Sequence, residues 1–221
     1  MPIVPDQISL STLFPGSSHV SVSVRAYLDA SVRHRAAWPV LLVALLAVLA
    51  FASQARAVKT IATGTFHTCA ILVDDNVRCW GNNEYGQLGY GNTYNIGGGP
   101  MTTPDKSGPV KLGTGRVATQ LALGRFHTCA ILDDGNVRCW GRSNYGQLGY
   151  GNMTDIGDNE TPDAVGTVNL GAGRTAKQIA AGEEFTCALL DNDSVVCWGR
   201  SNYGQLGYGN MTTIGDNEAP T

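Results

Sequence analysis

Sliding the chain along itself brings Gly64-Thr-Phe-His-Thr-Cys-Ala-Ile-Leu72 onto Gly124-Arg-Phe-His-Thr-Cys-Ala-Ile-Leu132, an offset of 60 residues, and then onto Gly182-Glu-Glu-Phe-Thr-Cys-Ala-Leu-Leu190, a further 58. Downstream, the sixteen letters from Cys139 to Thr154 recur unchanged from Cys197 to Thr212, and the copy that starts at Cys79 reads CWGNNEYGQLGYGNTY. A tandem period of this length marks one supersecondary unit that buries its apolar face against its neighbours. Three units follow: 58–117, 118–176 and 177–221.

Each unit carries short β-type runs bounded by turn residues, in a chain with 28 Gly, and no long amphipathic stretch. The first strands are expected at Lys59 to Thr63, Thr119 to Leu123 and Gln178 to Ala181. In the second unit, Phe126 to Leu132 and Asn136 to Trp140 form a hairpin around Asp133-Asp134-Gly135. Gly135 is suited to the left-handed position of a type I turn followed by a bulge. Asp75 and Asp193 hold that place in the other units, and Asp tolerates positive φ better than most residues. A long polar loop leads to an expected fourth strand, Pro109 to Leu112 and Thr167 to Leu170. The pattern predicts an all-β fold, a partial β-propeller of three four-stranded antiparallel blades. The third blade is incomplete, because the sequence stops at Thr221 before its fourth strand.

All six Cys sit in these hairpins at one spacing: Cys69 with Cys79, Cys129 with Cys139, Cys187 with Cys197. A three-residue turn centred on Asp134 sets Cys129 directly across from Cys139, and the other hairpins repeat this. Opposed Cα atoms about 4.5 Å apart lie at the short end of the disulfide range. The expectation is one disulfide per hairpin. Zinc held by His67 or His127 with the adjacent cysteines is the competing reading, but the third unit lacks the His and no CxxC spacing occurs. Buried free thiols are the third.

The succession H-T-C-A-I-L, D-D-G-N-V-R-C-W-G and Y-G-Q-L-G-Y-G-N, over roughly 58–221, resembles the regulator of chromosome condensation repeat. The resemblance implies a propeller, of seven blades in the founding eukaryotic protein, and is similar in its cysteines to secreted bacterial members. It implies fold strongly and activity weakly. Three units fall short of the four to eight blades that close a propeller, so further blades or another subunit are expected to complete it.

Ahead of the repeats, Trp38 to Ala52 is nearly all apolar and follows Arg33, His34 and Arg35. It is shorter than the ~20 residues of a spanning helix and precedes small residues, the proportions of a secretory signal. Residues 32–57 are therefore expected to be a signal peptide or signal anchor helix, with 1–31 a poorly ordered extension from a start placed too early. Export fits a disulfide framework. The repeats carry 11 Lys and Arg against 16 Asp and Glu, a net charge of −5, which argues against nucleic acid as a partner.

Trp80, Trp140 and Trp198 each follow the second Cys and point to the opposite strand face; blade packing is favoured over ligand stacking. Leu88, Leu148 and Leu206 are expected to fill the space between sheets, with Gly86, Gly146 and Gly204 in tight turns. The loops 92–107 and 152–166, with Asn92, Asn152, Asp155, Asp158 and Glu160, are the candidate binding loops. They match no calcium-loop spacing. No cofactor and no catalytic set of nucleophile, base and orienting acid is expected. The leading reading is a secreted or surface protein-binding module, partnered by another protein or by itself and touching a membrane only through its N-terminal segment. A guanine-nucleotide exchange factor, as in the founding member, and a structural piece of a large adhesin are the alternatives.

Overall fold

A computed structural model of the chain describes residues 58–221. The extension expected at 1–31 and the signal or anchor at 32–57 lie outside the described residues. Among the described residues nine strands form three separate antiparallel sheets. The first holds β1 (Val58–Thr63), β2 (His67–Leu72) and β3 (Val77–Gly81). The second holds β4 (Ala118–Leu123), β5 (His127–Leu132) and β6 (Val137–Gly141). The third holds β7 (Ala176–Ala181), β8 (Phe185–Leu190) and β9 (Val195–Gly199). The first strands of neighbouring sheets approach one another, β1 to β4 and β4 to β7, as in successive propeller blades. The helical content among the described residues is a 3-10 turn at Pro162–Ala164.

The hairpin register follows from its turn. In the second blade Leu132 N–H donates to Asn136 O and Gly135 N–H to Leu132 O, both near 3 Å, with Gly135 at φ 78°. Asp75 and Asp193 adopt φ 64° and 66° at the same point. This places Cys69 opposite Cys79, Cys129 opposite Cys139 and Cys187 opposite Cys197, and all three pairs are bonded at Cα separations of 4.1 Å.

The expected fourth strand is a correction: the sheets are three-stranded. Residues 109–112 and 167–170 run along the outer edge but make one ladder bond each, Val110 N–H to Val77 O at 2.9 Å and Val168 N–H to Val137 O at 2.8 Å. Their apolar side chains hold them there, since Val110, Leu112, Val168 and Leu170 are all buried. Gly113 and Gly171, at φ 111° and 101°, then turn the chain away before a second bond can form.

Burial grades along the array. Every residue of β5 and β6 is buried in the central blade, whereas β1 is almost wholly exposed and Val195 of β9 is 59% exposed. Among the described residues the middle blade is covered on both faces and each outer blade on one.

Candidate protein-interaction surface

The contact between blades is built from a polar chain set in an apolar frame. Trp140 of blade 2 is fully buried and its Nε1–H donates to Gln87 O of blade 1 at 3.0 Å. Thr128 Oγ1 donates to the same carbonyl at 2.9 Å. His67 Nε2 lies 2.7 Å from Thr128 Oγ1. Blades 2 and 3 repeat the set with Trp198, Thr186, Gln147 and His127 at 3.0 Å in each contact.

A hydroxyl has one hydrogen to give, and here it goes to the glutamine carbonyl, so each imidazole must donate from Nε2. Nδ1 then carries the lone pair, and in both His67 and His127 it is buried without a hydrogen-bond partner among the described residues. Burial holds both rings neutral: His67 is lowered to about 4 and His127 to about 3, the latter also because protonating it beside His67 would set two like charges together. Glycine backs each ring, since a Cβ on Gly64 would meet His67 Cε1 at 3.0 Å and one on Gly124 would meet His127 Cε1 at 2.2 Å; Gly182 backs Phe185 in the same way, at 2.0 Å from Cε1.

Trp140 and Trp198 cross this contact, and the other residues expected to be architectural differ in their surroundings. Leu88, Leu148 and Leu206 are buried. Gly86 and Gly146 turn at φ 75° and 66°, and a Cβ on either would come within 2.3 Å and 2.1 Å of Gly157 or Gly215 in the next blade. Gly204 has a similar φ, 72°, but among the described residues a Cβ there would meet only Asn210 O of its own blade, at 3.8 Å. Trp80 differs from its two counterparts by being half-buried.

The loop residues singled out for binding sit in loop hydrogen bonds. Asn83 Nδ2 donates to Asn92 O at 2.7 Å, and Asn92 and Asn152 each accept through Oδ1 from the backbone N–H two residues on, at 2.9 Å. Asp155 Oδ1 accepts from Ser143 N–H at 2.7 Å, and partial burial raises its pKa. Glu160 Oε1 accepts from Gly157 N–H at 3.2 Å, while Asp158 Oδ1 is buried without a hydrogen-bond partner among the described residues. These contacts stiffen the loops.

An aromatic and arginine cluster lies at the β1–β2 end of blades 1 and 2 and escaped the sequence reading. Phe66 and Phe126 stack at 5.3 Å, with Tyr85 edge-on to Phe126 at 5.1 Å. Arg142 lies 4.5 Å over Tyr85 and Arg125 5.2 Å over Phe126. Arg125 also pairs with Glu183 at 2.7 Å, and Arg200 sits 4.9 Å over Tyr145 while pairing with Glu184 at 2.6 Å. Phe66 is 48% exposed. Beside it an open groove of about 470 Å³ crosses all three blades, lined by Thr65, Gly124 and Glu183 among others.

A family model described as Regulator of chromosome condensation (RCC1) repeat matches residues 74–131 and 134–189, and a second of the same description matches 58–87, 118–147 and 176–205. The chain belongs to the RCC1-repeat family. It is similar to the ultraviolet-B receptor UVR8 of Arabidopsis thaliana, 32% identical over 154 residues that cover 70% of this chain and 32% of UVR8. The E3 ubiquitin-protein ligase HERC2 of Homo sapiens is 32% identical over 160 residues, 72% of this chain and 3% of HERC2. The chain thus spans a third or less of these relatives. Among solved structures it is similar to Prp20p from Saccharomyces cerevisiae, described with binding to Gsp1p and histones, at TM-score 0.58 and 23% identity over 74% of this chain and 38% of that one. Human WBSCR16 matches at TM-score 0.56 and 23% identity over 72% and 38%. These two likenesses establish the RCC1-type propeller fold.

Proposed function

We propose that this chain is an exported or surface-held RCC1-repeat module that binds a protein partner and carries out no chemistry of its own. The observation that carries the reading is the Phe66, Tyr85 and Phe126 cluster with Arg125 and Arg142. Aromatic and arginine side chains are the types enriched at protein-binding hot spots. Here they project from hairpins each pinned by a disulfide, so little conformational freedom is lost on binding. The loops around Asn92, Asn152, Asp155, Asp158 and Glu160 supply a polar rim. The three disulfides support an oxidising compartment, with 32–57 as the signal or anchor and the membrane touched only there. The acidic balance of the repeats speaks against nucleic acid. Self-association offers a second way to complete the propeller.

The test has two readouts. Intact mass, taken before and after reduction on protein recovered from the medium or cell surface, should show six thiols only after reduction. Immobilised wild-type protein should retain an extracellular protein that the Phe66→Ser/Tyr85→Ser variant does not. Six free thiols on a cytosolic chain would return the exchange-factor alternative to first place.

A further inference from the structure

One arginine site in the blade pattern is built twice and completed once. Arg142 of blade 2 lies 4.5 Å over Tyr85 of blade 1, and Arg200 of blade 3 lies 4.9 Å over Tyr145 of blade 2. The backbone beneath both is the same, since Arg142 N–H donates to Phe126 O and Arg200 N–H to Glu184 O, each at 2.9 Å. In blade 3 the guanidinium is satisfied within the fold. Its Nη1 pairs with Glu184 Oε2 at 2.6 Å, and the Asn202 amide, turned with its oxygen inward, accepts from Nη2 at 3.0 Å and from Nε at 3.1 Å. The Glu184 side chain is largely buried in that pair.

Blade 2 has the arginine and its tyrosine platform without the acceptors. Phe126 stands where blade 3 has Glu184. Asn144, the counterpart of Asn202, has its Oδ1 committed to Gln147 Nε2 at 3.1 Å. Asp155 senses the Arg142 charge, but its Oδ1 is held by Ser143 N–H and it makes no ion pair with the guanidinium. Among the described residues no carboxylate lies within ion-pair distance of Arg142, and its guanidinium makes no hydrogen bond. The other two arginines at this end are neutralised, Arg125 by Glu183 and Arg200 by Glu184. One unmatched positive charge is left, on a half-buried side chain.

We infer that Arg142 docks a glutamate side chain of the protein partner, which supplies in trans the carboxylate that Glu184 supplies to Arg200 within the chain. The inference rests on the protein-binding reading above and adds the chemistry of the partner segment: a glutamate next to an apolar side chain. Stacking on Tyr85 holds the guanidinium plane before the ligand arrives, so its fork of donors is presented at little entropic cost. The apolar neighbour has a platform in Phe66, which is 48% exposed and stacks on Phe126 at 5.3 Å. Charge complementarity selects a single carboxylate over a polyanion. The site offers one free positive charge, Glu183 lies close by on Arg125, and the repeats as a whole carry a net charge of −5.

The experiment is a low-salt amide NMR titration of the oxidised protein, as its host processes it, with N-acetyl-Phe-Glu-amide and with its neutral isostere N-acetyl-Phe-Gln-amide. Wild type, Arg142→Gln and Phe126→Glu are compared, and a dispersed spectrum shows that each variant is folded. In wild type the glutamate peptide should shift the Tyr85, Phe126 and Arg142 amides saturably and bind about fivefold or more tighter than the glutamine peptide. Arg142→Gln should abolish that preference while leaving the glutamine peptide's own affinity in place. Phe126→Glu gives Arg142 the internal partner that Arg200 already has, and should abolish the preference as well. No saturable shift in wild type, or a glutamate preference that survives Arg142→Gln, overturns the inference. Inorganic phosphate that binds tighter than the glutamate peptide through Arg142 also overturns it, in favour of a phosphorylated segment. Each of these outcomes leaves capture of an extracellular protein through Phe66 and Tyr85 to be decided by its own assay, so the two readings fail separately.

Discussion

Acidifying the protein from pH 8 to pH 5 should cost about 4 kcal/mol of folding stability through two side chains, His67 and His127. In the unfolded chain each titrates near 6.5. In the fold, burial lowers them to about 4 and about 3. Because the folded values are depressed, the stability these residues protect is intact above pH 6.5 and is lost as pH falls towards the folded values. At pH 5 the unfolded imidazoles are almost fully protonated and the folded ones almost fully neutral, a linkage cost of about 2 kcal/mol each. That figure depends on the unfolded pKa and hardly on how far below 5 the folded ones lie. The structural cause is specific: each Nε2–H is committed to a threonine hydroxyl and each Nδ1 is buried with no acceptor among the described residues to take a second proton. The perturbation is His67→Phe/His127→Phe, which copies what the third repeat already carries as Phe185. Unfolding free energies from non-reducing denaturant titrations at pH 8, 6.5 and 5 should fall by about 4 kcal/mol in wild type and by less than about 1 kcal/mol in the variant. Equal slopes in the two proteins would refute the argument, whatever the variant's stability at pH 8.

Trp140→Ala, which empties a fully buried site and removes one of the two donors to the Gln87 carbonyl, should destabilise by about 3–5 kcal/mol, against less than about half that for the half-buried Trp80→Ala, both read by denaturant midpoint. Gly146→Ala should be worse than Gly204→Ala by more than about 2 kcal/mol: both positions share the left-handed strain, but only at Gly146 does a methyl meet the next blade, 2.1 Å from Gly215 C. Removing one disulfide as Cys129→Ala/Cys139→Ala, a closed loop with sequence separation 10, should lower stability by about 3 kcal/mol under non-reducing conditions and leave the other two bridges intact by mass.

The hairpins were legible in the letters because they are local. A three-residue turn with Asp or Gly in the left-handed position dictates the register, and the register sets each cysteine opposite its partner before any tertiary contact forms. Period and turn chemistry likewise sufficed for three blades of one kind. The outer edge was not legible: Pro109 to Leu112 alternates like a strand, yet apolar burial holds it with one ladder bond before Gly113 turns it away. Nor could the sequence assign the His–Thr–Gln chain, whose members lie in different repeats about 40 to 60 residues apart and meet only when blades stack. The Thr and Gln shared by all three repeats were the available signal. Identical letters also hid unequal fates. Trp80 and Trp140 occupy the same place in their repeats, but one has a blade against its indole and the other has an open groove among the described residues. The sequence by itself determined what each blade is; the order of stacking decided which faces are buried, because burial depends on the neighbour and not on the residue.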